Sequence, residues 1–324
     1  MGAERHAPAQ DTPLISGGVG FFTSTNGGNT TYIPTLAPVL AAPLGQHVLV
    51  ESRATLLEAF FPSGGGYDTT HFIGLSYLQG DYIATPHLTV VGGYFLTPFG
   101  TYNERLSPIW ISNFQDPPLI ASIGTMTGSG TGGMVRGSAV STPKFSVDYA
   151  YYFSATSTNE QFHSSRSTGG RVGVFFPKPR LEVGASYGRL LEGTHQNYSG
   201  VYVWWLPPQS AFQLRSEYAH APHSQGYWIE TDYRLSRFGG RESWVGRLEP
   251  VFRWQQTFRN SPDPSDGLPA ADTQQVEIGL DYHLPHELRI NTNYARQFSA
   301  TGDRNLWKTG IVYRFLFPTW KGRK

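Results

Sequence analysis

The chain has 324 residues, of which 15% are charged and 14% aromatic, with 37 glycines, no cysteine and a net charge of +1. The balanced charge gives no footing for a nucleic-acid partner. The lack of cysteine excludes disulfides, thiolate metal sites and covalently attached c-type haem. No apolar run of about 18 residues exists, so there is no transmembrane helix. The charged fraction lies below the roughly 25% of soluble proteins, while the mean hydropathy of −0.32 is mildly hydrophilic. Few charges, many aromatics and many glycines suit a wall that is apolar outside and polar inside.

In chain order, residues 1–12 (MGAERHAPAQDT) are polar and lack the apolar core of a secretory signal, so they read as a flexible N-terminal segment. From Leu14 the chain alternates with period two, the signature of a strand. Two strands are expected near 14–24 and 29–38, although Pro34 and Pro38 make the second one poor. KFSVDYAYYF sets Phe145, Val147, Tyr149, Tyr151 and Phe153 opposite Ser146, Asp148, Ala150 and Tyr152. PRLEVGASYGRL, AFQLRSEYA and YWIETDYRL repeat the pattern, as do VEIGLDYHL, ELRINTNY and the last strand, which ends IVYRFLF. The polar faces hold Gly, Ser, Asn, Thr and opposite charges rather than the many Lys and Glu of a soluble sandwich surface. Aromatics gather toward strand ends, where a membrane interface favours them.

Short Pro-containing turns alternate with longer polar connections, the turn-and-loop pattern of an outer-membrane barrel. The predicted fold is all-β: a transmembrane antiparallel up-and-down β-barrel of about 16 strands. It spans 13–317 and is followed by a tail, 318–324. Segment 236–243 is expected to be a slightly longer periplasmic turn.

One stretch breaks the rhythm. The strand LTVVGGYFL ends at Pro98 and is followed by a connection over 97–127 with no strand pattern. A single long loop in a regular β protein is where function concentrates. It carries Asn103, Glu104, Arg105 and Asp116 beside Tyr102, Trp110 and Phe114. Folded inward, these charges would constrict the pore and set a transverse field. Folded over the mouth or against a neighbouring subunit, they would only be solvated.

The strand faces opposite the apolar ones supply the expected lumen lining: Arg53, Arg215, Glu217, Glu230, Asp232, Arg234, Arg247, Arg253, Glu277, Asp281, Arg289 and Lys308. Both signs are present in near balance, which predicts weak charge selectivity. Taken singly, each residue also fits a cross-strand ion pair bracing the wall. Ser141-Thr142-Pro143-Lys144 and Lys308-Thr309-Gly310 formally match penicillin-recognising motifs. They lie in a turn and in a strand, without the helix-opening Ser such sites need, and no enzyme is expected. His220 and His223 bracket Ala-Pro in what reads as a surface turn.

The segment GGYFLTPFGTYNERLSPIW (92–110) resembles the strand-then-PFG region of bacterial porins of the phosphate-selective porin O/P-like superfamily. The resemblance implies a 16-stranded outer-membrane porin, often a homotrimer, whose early long loop narrows the pore. The loop lacks the ladder of Lys or Arg found in anion-selective members. The final strand, ending in an aromatic at Phe317, also resembles the barrel-assembly signal, apart from the tail PTWKGRK.

The expected function is passive diffusion of small hydrophilic solutes or ions across a bacterial outer membrane, with no cofactor and the lipid bilayer as surroundings. The alternative is a barrel scaffold sheathing a partner protein in its lumen, such as a multihaem cytochrome of an electron conduit. The short extracellular loops lean toward such a partner.

Overall fold

The computed structural model describes residues 13–123, 128–193, 195–240, 242–261 and 267–318. Sixteen strands follow one another: β1 (Leu14–Asn26), β2 (Asn29–Leu44), β3 (Val48–Ser63), β4 (Gly66–Thr85), β5 (Leu88–Leu96), β6 (Ser129–Ser141), β7 (Ser146–Ala155) and β8 (Ser167–Phe176). After these come β9 (Leu181–Leu190), β10 (Asn197–Trp205), β11 (Phe212–Ala221), β12 (Ser224–Tyr233), β13 (Leu248–Arg259), β14 (Thr273–His283), β15 (Leu288–Ser299) and β16 (Arg304–Pro318). Each pairs with its sequence neighbour and β16 closes on β1, giving a closed antiparallel barrel without a free edge. Closure is the only way a sheet can satisfy all its backbone groups in lipid.

The seam is built from complementary shapes. Gly17 faces Phe315 in register, and any Cβ at Gly17 would lie 2.2 Å from the Ala37 carbonyl. The prolines of β2 are accommodated by a one-sided ladder. Pro34 and Pro38 pair with Phe21 and Gly17 of β1, whereas the β2–β3 register is interrupted at both positions. Their missing N–H groups thus fall where no bond is made.

The alternation places Tyr151, Val172, Tyr187, Val201, Ile278 and Trp307 outward, all about half exposed or more, although they are apolar. The inner faces carry the polar residues. One inner row runs across four strands with alternating sign, because Arg215 faces Glu230, Glu230 faces Arg253 and Arg253 faces Glu277. Burial there is nearly complete, with Arg253 1% and Glu277 0% exposed. An inner wall this deeply covered has something lying on it, and that is the connection after β5.

Two expectations need correction. Arg234 and Arg247 belong to the connection between β12 and β13, which includes a 3-10 turn at Leu235–Arg237, rather than to the strand wall. The connection is longer than its sequence suggested, because β12 stops at Tyr233 and β13 starts only at Leu248. At the C-terminal end, β16 continues to Pro318, one residue beyond the expected end of the barrel, and 319–324 lie outside the described residues. The N-terminal segment 1–12 and the loop positions 124–127 also lie outside them.

Candidate functional site: a loop crossing the lumen

The loop leaves β5 through Thr97, whose amide and hydroxyl both donate to the Gly128 carbonyl at 3.0 and 2.9 Å. The Asn103 amide joins the same oxygen at 2.7 Å, stapling the two ends of the loop together. At Gly100 the backbone turns inward with φ +63°, and a Cβ here would lie 1.8 Å from the Glu217 carboxylate. Only glycine satisfies both the left-handed conformation and the close approach. The turn is fixed by three bonds: Gly100 N to Ser186 Oγ at 3.0 Å, Thr101 N to Glu217 at 3.1 Å and Arg171 to the Gly100 carbonyl at 2.7 Å.

One π-helical turn follows, Tyr102–Leu106. It directs two adjacent opposite charges at one wall. Glu104 pairs with Arg171 of β8 at 2.7 Å, and Arg105 meets both oxygens of Glu182 of β9 at 2.8 Å. The Arg105 guanidinium also lies over Trp204, 5.9 Å from the ring centre. Desolvation inside the lumen pushes the Tyr102 phenol up to about 12.

The chain then crosses the lumen. Arg53 of β3 donates to Ser107 at 3.1 Å, while Arg289 of β15 donates to the Ile109 and Ser112 carbonyls at 3.1 and 2.6 Å. Asn113 reaches Glu230 and Asp232 of β12 at 3.2 and 3.1 Å. Arg253 packs under the Phe114 ring at 4.5 Å and donates to the Asp116 carbonyl at 2.9 Å. The Asp116 carboxylate pairs with Lys308 of β16, and Leu119 N binds Gln255 at 2.7 Å. Phe99, Leu106, Ile120 and Ile123 bury themselves with Phe95, Met134, Tyr152 and Trp228 of the wall.

Of the residues singled out in the sequence, Glu104, Arg105 and Asp116 face wall charges, while Asn103 binds backbone at the loop root. Arg215, Glu217, Glu230, Asp232, Arg253, Arg289 and Lys308 each meet the loop or one another beneath it, while Arg53 stands apart on β3, bound to Ser107. Glu277 and Asp281 lie in the same layer, bound to Gln255 and paired with Arg289 respectively. Arg234 borders a cavity of about 360 Å³ at the short-turn end, shared with Trp110, Arg289 and Arg314. Arg247 pairs instead with the exposed Glu242. Lumen charges that were not singled out include Arg171, Arg136 and its partner Asp81. Arg171 sits in GGRVG, where glycines occupy both faces and blunt the alternation that marks an inner face.

The loop leans on β11–β15, leaving space on the opposite side. A cavity of about 290 Å³ lies there between Asn103, Ser107, Pro108 and Ile109 of the loop and Ala37, Arg53 and Thr55 of the wall.

No family model matches the sequence, and no curated protein matches it. Solved structures do share the fold. An anion-selective porin from Comamonas acidovorans aligns at 12% identity and TM-score 0.57, over 94% of this chain and 99% of that one. OmpF of Salmonella typhi, in complex with daunomycin, aligns at 12% identity and TM-score 0.64, over 94% and 98%. OprB of Pseudomonas putida aligns at 12% and 0.64, over 94% of each chain. Likeness at this identity is likeness of fold: the chain has the closed 16-stranded architecture of outer-membrane porins.

Proposed function

We propose that this barrel is an outer-membrane diffusion porin, passing small hydrophilic solutes or ions through a lumen narrowed by the loop 97–123. The carrying observation is the crossing itself. A loop rooted at β5 is bound by side chains from β3, β8, β9, β12, β13, β15 and β16 inside an apolar-coated barrel. Such a wall needs lipid outside and tolerates water inside, and a fixed polar crosspiece sorts what passes by size and charge.

Asn103, Glu104, Arg105 and Asp116 are assigned to the constriction, and the wall residues facing them to its lining. The charges in the loop are matched by partners of opposite sign, which supports weak charge selectivity. The finer likeness of 92–110 to the phosphate-selective porin O/P-like superfamily supports the loop's role and not its substrate, since Arg105 is the loop's one basic residue over 97–123. The sheath alternative loses support because the barrel's own loop occupies space a threaded partner would need.

Proteoliposome swelling tests the reading. Vesicles carrying the folded barrel should admit small sugars at rates that fall steeply with solute size. Vesicles no more permeable than protein-free ones would remove it.

A further inference from the structure

Two cavities adjoin on the outer wall, outside the lumen. One, of about 540 Å³, is an apolar trough on β7–β9 with Tyr149, Tyr151 and Tyr187 around Val172 and Ala185. The other, of about 520 Å³, lies above it toward the long-loop rim and is lined by His195, Asn197, Ser199, His220 and His223. Tyr187 borders both. Arg189 stands on the outward face between them, in register with Thr168 of the trough and Asn197 of the polar cavity. It is exposed and makes no ion pair or hydrogen bond among the described residues. Glu192, close by in sequence, is taken up by the Thr156 hydroxyl and the Arg166 amide.

We infer that this face is a lipid site, holding an acyl chain in the trough and a phosphorylated sugar head in the histidine-lined cavity. The order of the two cavities matches an amphiphile standing in the membrane, apolar at band height and polar at the rim. Tyrosines mark the boundary, as they do at membrane interfaces. An uncommitted guanidinium at that boundary suits phosphate, which it binds bidentately. The His195 and His220 imidazoles, the Asn197 amide nitrogen and the Ser199 hydroxyl suit the hydroxyls and ring oxygens of a sugar, whereas His223 is bonded to Ser261 at 2.6 Å and the Asn197 amide oxygen accepts from the Tyr187 hydroxyl at 2.7 Å.

The test is native mass spectrometry of the folded barrel with a diphosphorylated, acylated diglucosamine lipid, the same lipid dephosphorylated, and phosphatidylglycerol. The wild type should retain one phosphorylated glycolipid, and dephosphorylation should cut retention about tenfold, the worth of roughly 1.4 kcal/mol. Arg189→Glu should do the same, as should Ala185→Phe, which fills the trough. Ile278→Phe, on a distant part of the wall, should change nothing. Equal retention by wild type, Arg189→Glu and Ala185→Phe would overturn the site. So would equal retention of phosphatidylglycerol, or barrel-to-barrel cross-linking through position 187. None of these outcomes depends on whether the lumen conducts.

Discussion

Arg105 holds both carboxylate oxygens of Glu182 at 2.8 Å, tying the π-helical turn of the loop to β9. Both side chains keep partial contact with the lumen, at 32% and 18% exposure, so the pair both anchors the loop and shapes the field. Arg105→Ala leaves Glu182 unneutralised on the wall. A unit charge at 4 Å in water-like surroundings is worth about 1 kcal/mol, so the cation-to-anion permeability ratio should rise several-fold in reversal-potential measurements. Glu182→Gln should shift it the opposite way, and equal ratios in all three proteins would refute the assignment.

Gly100 sets the direction in which the loop leaves the strand. Gly100→Ala forces a Cβ into Glu217 and into a left-handed backbone, at a cost of about 1–3 kcal/mol for the conformation alone. The barrel should lose its compact, heat-resistant gel mobility at lower temperature. Adding Glu217→Ala should recover part of the loss and not all, because the conformational cost remains.

The row from Arg215 to Glu277 is an ionic ladder closed by the loop. Arg253→Met leaves Glu277 buried without its facing cation and Glu230 with Arg215 alone, and breaking a buried pair from one side costs about 3–5 kcal/mol. Urea unfolding in lipid vesicles should register that loss. Arg253→Met with Glu230→Gln should be milder than the sum of the single changes.

Ile278 lies mid-strand on the outer face of β14 and is 62% exposed. Against lipid, Ile278→Arg should destabilise the barrel by about 2–4 kcal/mol. A change indistinguishable from zero would mean that this face meets water or a polar partner.

The strands and their inner and outer faces were legible in the sequence wherever large apolar and polar residues alternate, as in YWIETDYRL, whose Glu230 and Asp232 do face inward. Legibility failed where glycine occupies both faces, which hid Arg171, and at the strand ends either side of one connection, where β12 stops before Arg234 and β13 starts after Arg247. The loop's existence followed from its length and lack of alternation. Its path did not, because that path depends on pairings across 54 to 192 residues, from Ser107 with Arg53 to Asp116 with Lys308. No local pattern encodes such distant partners.

The most direct test of the central claim is single-channel conductance in a planar bilayer, comparing the wild type with a folded barrel in which 104–117 is replaced by a short Gly-Ser link. A loop that narrows the lumen predicts stable open steps in both proteins, with clearly larger steps in the shortened one. Equal steps would contradict the claim that the loop sets the aperture.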